Sequence, residues 1–326
     1  MATLKVKASE VLLPVTVRDK HGALVPNLTA ADFTLSQDSR PQVIKSFSRE
    51  SNLPFRVGLL VDTSRSVSSA MENERKAGGK FVDLMLPANP KDATNGDQAF
   101  LIHFDREVEL LQDFTDARDK LHRELDGMGP TAREKSSNTG GPETSGDERD
   151  SRSRANRGGT QLYDAIFLAA DELMKTKDGR KALVVFSDGE DRGSKENLND
   201  AIDAADHANL AIYTVYFKGQ EERQANDDYP GTGGRRGGGD RGSSIDGKKI
   251  MAEIATRTGG RFFEAKKKDN LEEIYNAIAE ELRGQYLMTY TPDKPDTDSE
   301  FHKVVLKAKD ADLTVVTREG YYSGEK

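Results

Sequence analysis

Three separated stretches of this 326-residue chain carry oxygen-bearing side chains at spacings suited to a hard cation. The first is Asp62-Thr63-Ser64-Arg65-Ser66, the second Gly158-Gly159-Thr160, and the third Ser187-Asp188-Gly189. Asp62, Ser64, Ser66, Thr160 and Asp188 together offer two carboxylates and three hydroxyls, with no imidazole or thiolate. Donors of this kind select Mg2+, Mn2+ or Ca2+ over zinc or copper. Two carboxylates balance one divalent charge, and an octahedral Mg2+ usually keeps some water, which leaves a position for a ligand from outside. Taken alone, Asp-x-Ser-x-Ser also suits a helix N-cap. Its recurrence as hydroxyl and carboxylate at two further stretches favours the cation.

The elements around these stretches say how they would be brought together. Residues 57–61 are apolar throughout and end at Asp62, and residues 182–186 are apolar throughout and end just before Ser187-Asp188. Strands of that kind are covered on both faces, as in a parallel sheet between layers of helices. Helical periodicity is expected over 69–85, with Met71, Ala77, Phe81, Leu84 and Met85 facing the core, and near 116–125, 162–174, 196–207, 248–258 and 270–282. Further strands are expected at 99–104, 210–217 and 261–264. The tight turn at Asp105-Arg106 makes 108–111 an antiparallel edge strand, because a hairpin supplies no parallel crossover. The fold class expected is α/β, a doubly wound and mostly parallel sheet. Loops at the carboxyl ends of its strands form the ligand crevice, which is where the oxygen-bearing residues fall.

The two ends of the chain read as short strands with turn punctuation, at 11–18, 33–35 and 43–47, and again at 286–290, 302–308 and 313–317. Neither set makes a full core alone. The expectation is that residues 1–52 and 285–326 pair into one β-sandwich, with an α/β domain at 53–284 inserted between them. Residues 131–159 hold no Val, Ile, Leu, Met or aromatic residue, and 219–244 hold Tyr229 as the one large apolar group. Both read as mobile surface insertions. They account for the low apolar share, 35%, and the high charged share, 32%.

Composition excludes several classes. The net charge is −8, and basic residues are interspersed with acidic ones, so no stripe collects nucleic-acid phosphates. No cysteine means no disulfide, thiolate site or cysteine nucleophile. No run approaches the roughly 18 apolar residues of a membrane span, and the N-terminus has no apolar signal core. The five histidines stand at no metal-ligand spacing. Ser64 has no adjacent base to make it a nucleophile, and the glycine-rich run at 231–242 lacks the ending of a phosphate loop. Asp191, just beyond Asp188-Gly189-Glu190, reads as a solvated loop carboxylate, with a supporting role behind the metal-binding residues as the alternative.

In this order and on these loops, Asp62-x-Ser64-x-Ser66, Thr160 and Asp188 resemble the metal-ion-dependent adhesion site of von Willebrand factor type A (VWA) domains, over roughly residues 53–284. The resemblance implies a sheet with one antiparallel edge strand. It also implies direct metal contact from Ser64 and Ser66, direct or water-mediated contact from Asp62, Thr160 and Asp188, and a partner protein's Asp or Glu completing the shell. A finer resemblance, to bacterial VWA-related proteins first noted in acidobacteria, rests on VTVRDKHGALVPNLTAADFTLSQDSRPQVIKSF, GGTQLYDAI, FSDGEDRGS, YTPD and REGYY. It implies an exported protein, extracellular or periplasmic. Arg65 departs from the pattern, standing where such domains commonly have glycine, and a cation there would weaken metal affinity or preselect an acidic partner. The expected function is non-enzymatic adhesion through Mg2+, or Mn2+ or Ca2+. Two other classes stay open: metal-assisted hydrolysis, for which no general base is evident, and a structural module whose metal only staples loops.

Overall fold

A computed structural model of the chain describes residues 10–49, 53–86, 96–129, 159–218, 246–265, 270–293 and 300–323. Apart from Gly159, the two insertions expected at 131–159 and 219–244 lie outside the described residues.

The chain opens with β1 (Val11–Arg18), β2 (Phe33–Gln37), β3 (Arg40–Gln42) and β4 (Ile44–Ser48). It then enters the α/β region. There β5 (Phe55–Asp62), β6 (Gln98–Phe104), β7 (Val108–Thr115), β8 (Arg180–Ser187), β9 (Ala211–Phe217) and β10 (Phe262–Ala265) form one sheet in the order β10-β9-β8-β5-β6-β7. All neighbours are parallel except β6 and β7, whose antiparallel pairing starts at Phe104 opposite Val108. The edge strand β7 runs to Thr115, beyond the expected 108–111. Its outer residues alternate between half-buried and exposed, so no continuous apolar run marks its length.

Helices α1 (Met71–Met85), α2 (Arg118–Gly127) and α6 (Leu271–Gly284) cover one face of the sheet, and α3 (Leu162–Leu168), α4 (Leu198–His207) and α5 (Gly247–Arg257) cover the other. The pleat divides β5 between them: Val57, Leu59 and Val61 pack on α1, α2 and α6, while Leu60 packs with α3, α4 and α5. One expectation is corrected here and another is refined. On α1, Leu84 is 39% exposed and Val82 is buried in its place, because Val82 shares a face with Phe81 and Met85 and Leu84 falls off it. The helix expected over 162–174 is α-helical only to Leu168 and continues as a π-helical turn at Ala169–Met174, closed by Lys175 N donating to Ala170 O.

After α6 come β11 (Tyr286–Tyr290), β12 (Phe301–Ala308), β13 (Thr314–Val316) and β14 (Gly320–Tyr322). They do not form a separate unit. β1 lies between β13 and β11 in a sheet ordered β13-β1-β11-β4, and β2 lies beside β12 in a second sheet ordered β14-β12-β2-β3. The sheets bury a common core of Leu13, Val15, Phe33, Leu35, Met288 and Leu306. Each sheet of the sandwich therefore mixes strands from both ends of the chain. The sandwich is fastened to the α/β region by polar contacts. Arg318 is buried and donates from Nη2 to Leu12 O at 2.9 Å and from Nη1 to Asn209 Oδ1. Arg18 pairs with buried Glu281 of α6, and Tyr322 stacks on His207 of α4 at 3.8 Å.

Candidate metal centre

β5 and β8 lie side by side at the middle of the sheet, where the connections turn from one direction to the other, and their carboxyl ends open into the same crevice. Asp62 is the last residue of β5 and Ser187 the last of β8. Asp62 is fully buried. Its Oδ1 accepts Ser64 N at 2.9 Å and its Oδ2 accepts the Ser187 hydroxyl at 2.7 Å. The chain then bends back toward α1 through a 3-10 turn at Ser68–Ala70. That bend brings Ser64 Oγ and Ser66 Oγ to 2.9 Å from one another, with Ser64 buried, Ser66 half-buried and Arg65 exposed.

Beyond β8, the buried Asp188 accepts Glu190 N on Oδ1 at 3.1 Å, and Gly189 N donates to Ser187 Oγ at 3.0 Å. Gly189 has φ +73°, and a Cβ there would sit 2.2 Å from Gly247 O at the start of α5. The turn that follows Asp188 therefore requires glycine. Thr160, also buried, precedes α3. Its carbonyl accepts Arg192 N at 3.1 Å, and the next amide, Gln161 N, donates to Asp105 O at 2.9 Å. Loops following β5, β6 and β8 and the segment before α3 thus meet at one place.

The electrostatics follow from burial. The Asp62 carboxyl is pushed up to about 7, first by loss of water and then by the charge of Asp188, with hydrogen bonds from Ser64 and Ser187 pulling the other way. Burial also raises the Asp105 carboxyl, opposed by Arg106, Arg65 and His103. His103 is buried, with Nε2 3.0 Å from Glu109 Oε2 and Nδ1 3.5 Å from Thr63 Oγ1.

The residues present fit a hard divalent ion. A buried Asp62 that feels the charge of Asp188, beside two hydroxyl oxygens already in contact, makes a group of oxygens whose charge a cation would neutralise. Among the described residues no three His, Cys, Asp or Glu side chains cluster as a metal site, so any such capacity rests on the mixed hydroxyl and carboxylate set.

Of the residues picked out by sequence, Asp62, Ser64 and Ser66 are in one hydrogen-bonded group, Asp188 is close enough to act on Asp62 electrostatically, and Thr160 stands on a segment bonded to the loop after Asp188. Ser187, part of the third stretch but not one of the five candidate ligands, holds Asp62 directly. Its signal was present: a hydroxyl in the last position of an otherwise apolar strand, one residue before a candidate carboxylate. Asp191 departs from the solvated reading and follows the alternative, a supporting one. It is half-buried, and accepts Tyr163 N at 3.1 Å and the Ser194 hydroxyl at 2.5 Å, because the chain turns back onto the start of α3 instead of into solvent.

Two family profiles, each described as von Willebrand factor type A domain, match residues 57–190 and 150–277. No curated protein matches the sequence. Among solved structures, the chain is similar to a von Willebrand factor type A protein from Catenulispora acidiphila, at 11% identity over 96% of this chain and 73% of that one, with a TM-score of 0.45. It is similar to the vWF domain of the type V pili tip protein Mfa5 from Porphyromonas gingivalis, at 16% identity over 71% and 95% of the two chains, with a TM-score of 0.46. It is also similar to proximal thread matrix protein 1 from the mussel byssus with a zinc-occupied MIDAS motif, at 12% identity over 71% and 48%, with a TM-score of 0.47. The chain spans about half the length of that mussel protein.

Proposed function

The chain is a von Willebrand factor type A domain protein, and from that premise we propose that it binds an acidic group of a partner protein through a divalent cation, Mg2+ in the first instance. The observation that carries this reading is the hydrogen-bonded convergence of Asp62, Ser64, Ser66 and Ser187 at the carboxyl ends of the two central strands, with Asp188 beside them. The ion, when bound, supplies a Lewis-acidic position that a carboxylate oxygen can take. Ser64 and Ser66 would hold it with their hydroxyls, Asp62 and Asp188 would balance its charge, and Thr160 would close the set. Ser187 keeps the Asp62 carboxylate oriented. Arg65, exposed between the two serines, adds positive charge at the rim and favours an approaching Asp or Glu over a neutral side chain.

Binding is supported over turnover by His103, the imidazole bonded beside Asp62: it is buried with both ring nitrogens engaged, Nε2 by Glu109 and Nδ1 by Thr63. No helix among the described residues is long and apolar enough to cross a membrane. The likeness of both chain ends to exported bacterial proteins supports an extracellular or periplasmic setting.

The test is binding of the full chain to immobilised peptides bearing Glu or Asp, and to matched Gln or Asn peptides, with Mg2+ and with chelator. An acidic-peptide signal that falls at least about tenfold on chelation is expected, since charge-assisted contacts are the strong ones. Equal binding in both conditions would refute the bridge. A chelator that lowers the melting temperature without changing association would favour a metal that only staples the loops.

A further inference from the structure

The carboxylate Asp188 and the hydroxyl Thr160 come from segments far apart in sequence, yet the backbone joins them into one body. Gly159 marks the closeness: a Cβ there would stand 2.8 Å from the carbonyl carbon and oxygen of Arg192. Helix α3 begins next to Thr160, and its N-cap residue, Gln161, makes no side-chain capping bond. The cap is supplied from the other segment. Asp191 Oδ2 accepts Tyr163 N at 3.1 Å, and Ser194 Oγ accepts Asp164 N at 3.1 Å. Ser194 is itself fixed by donating from Oγ to Asp191 Oδ2 at 2.5 Å and from N to Asp191 Oδ1 at 3.3 Å.

The exchange is reciprocal. Asp164, on α3, accepts Lys195 N at 2.9 Å and Glu196 N at 2.9 Å, the two amides just ahead of Asn197, which caps α4. Each segment thus satisfies backbone donors that the other would otherwise leave open, and neither can shift without breaking bonds at both ends.

We infer that Asp191, Ser194 and Asp164 are positioning residues that fix Thr160 against Asp188, and so set the geometry with which the centre holds its ion. The inference rests on the metal-binding reading above. Its physical consequence is selectivity. Mg2+ demands near-ideal octahedral geometry and is sensitive to any loosening, whereas Ca2+ accepts irregular and flexible shells. Loosening the clamp should therefore cost Mg2+ much more than Ca2+.

Calorimetric titration of the full chain with Mg2+ and separately with Ca2+, alongside melting in chelator, tests this for wild type, Asp191→Ala, Asp191→Asn and Ser194→Ala. Asp191→Ala should weaken Mg2+ by roughly ten- to a hundredfold, the usual effect of removing a group that orients a ligand. It should weaken Ca2+ by about threefold or less. Asp191→Asn keeps an oxygen acceptor for the Tyr163 amide and should recover most of the loss. Ser194→Ala removes one arm and should fall between them, and it carries the test should Asp191→Ala not fold. Folded variants with an unchanged Mg2+/Ca2+ affinity ratio overturn the inference, whether or not their melting temperature has dropped. A wild-type chain that takes up neither ion refutes the metal-binding reading itself, whereas wild-type uptake matched by the variants refutes the clamp alone.

Discussion

Asp62 and Glu74 are both buried carboxyls on the same stretch of chain, one at the mouth of the sheet and the other in the seam between α1 and α6. Burial raises both, Asp62 to about 7 and Glu74 to about 8. Their company differs. Asp62 receives a backbone amide and a serine hydroxyl, feels the charge of Asp188, and lies beside two further hydroxyls. Glu74 receives the hydroxyl of Tyr275 alone, in a seam where the Phe81 and Tyr275 rings pack at 5.3 Å, and its Oε2 has no hydrogen-bond partner among the described residues. A perturbed acid is thus not by itself a site. Oxygen donors converging from separate segments around a pair of like charges make the difference, and Glu74 serves as the internal control for Asp62.

The sharpest way to break this contrast is to neutralise each carboxyl in turn. Asp62→Asn should reduce Mg2+ affinity by at least about a hundredfold in calorimetry, because it removes one of two charges that balance the ion. Glu74→Gln should leave that affinity within about twofold, since Glu74 touches none of the candidate metal ligands. Comparable losses in the two variants would erase the distinction.

Next in size is the dependence of stability on pH. A carboxyl raised in the folded state keeps its proton there after the unfolded chain has released it. Its contribution is therefore complete below an unfolded value near 4.5 and is lost as pH rises toward about 8 for Glu74. Denaturant unfolding in chelator should show stability falling between pH 5 and 8, with a slope approaching roughly 1.4 kcal/mol per pH unit for each such group. Glu74→Gln should flatten the slope. Added Mg2+ should flatten it also, since the ion favours ionised Asp62. A slope of the opposite sign would show that these carboxyls are ionised in the fold.

Tyr275→Phe removes the one donor to Glu74 and should cost about 1–3 kcal/mol in denaturant unfolding, with unchanged metal uptake. The smallest effect belongs to Arg65→Gly. Its exposed charge acts through solvent, so Mg2+ affinity should rise by about two- to threefold at low salt and converge with wild type at high salt. A large or salt-independent change would mean that Arg65 touches the centre directly.

The parallel core was legible because Leu59, Leu60 and Val61, and Val184, Val185 and Phe186, are apolar without interruption, as only a strand covered on both faces can be. The antiparallel edge was legible from Asp105-Arg106, yet its length was not, since polar Glu109, Gln112 and Asp113 interrupt its apolar residues. β3 and β14, three residues each, were too short to carry a period. At the candidate centre, residue type and loop position pointed to Asp62, Ser64, Ser66, Thr160 and Asp188, whereas Ser187 and Asp191 act through partners 125 and 28 residues away. Hydrogen bonds of that range leave no periodic trace in a sequence.

The interleaving of the two chain ends bears on biogenesis. Val11 pairs with Tyr290 and Val17 with Val315, so β1 leaves the ribosome long before the strands that flank it and must wait for the whole α/β region to follow. Until then its inward row of Val11, Leu13, Val15 and Val17 is a sticky ribbon without cover, a natural target for a holding chaperone. A nascent chain cut short of β11 leaves that row uncovered, whatever the state of the α/β region.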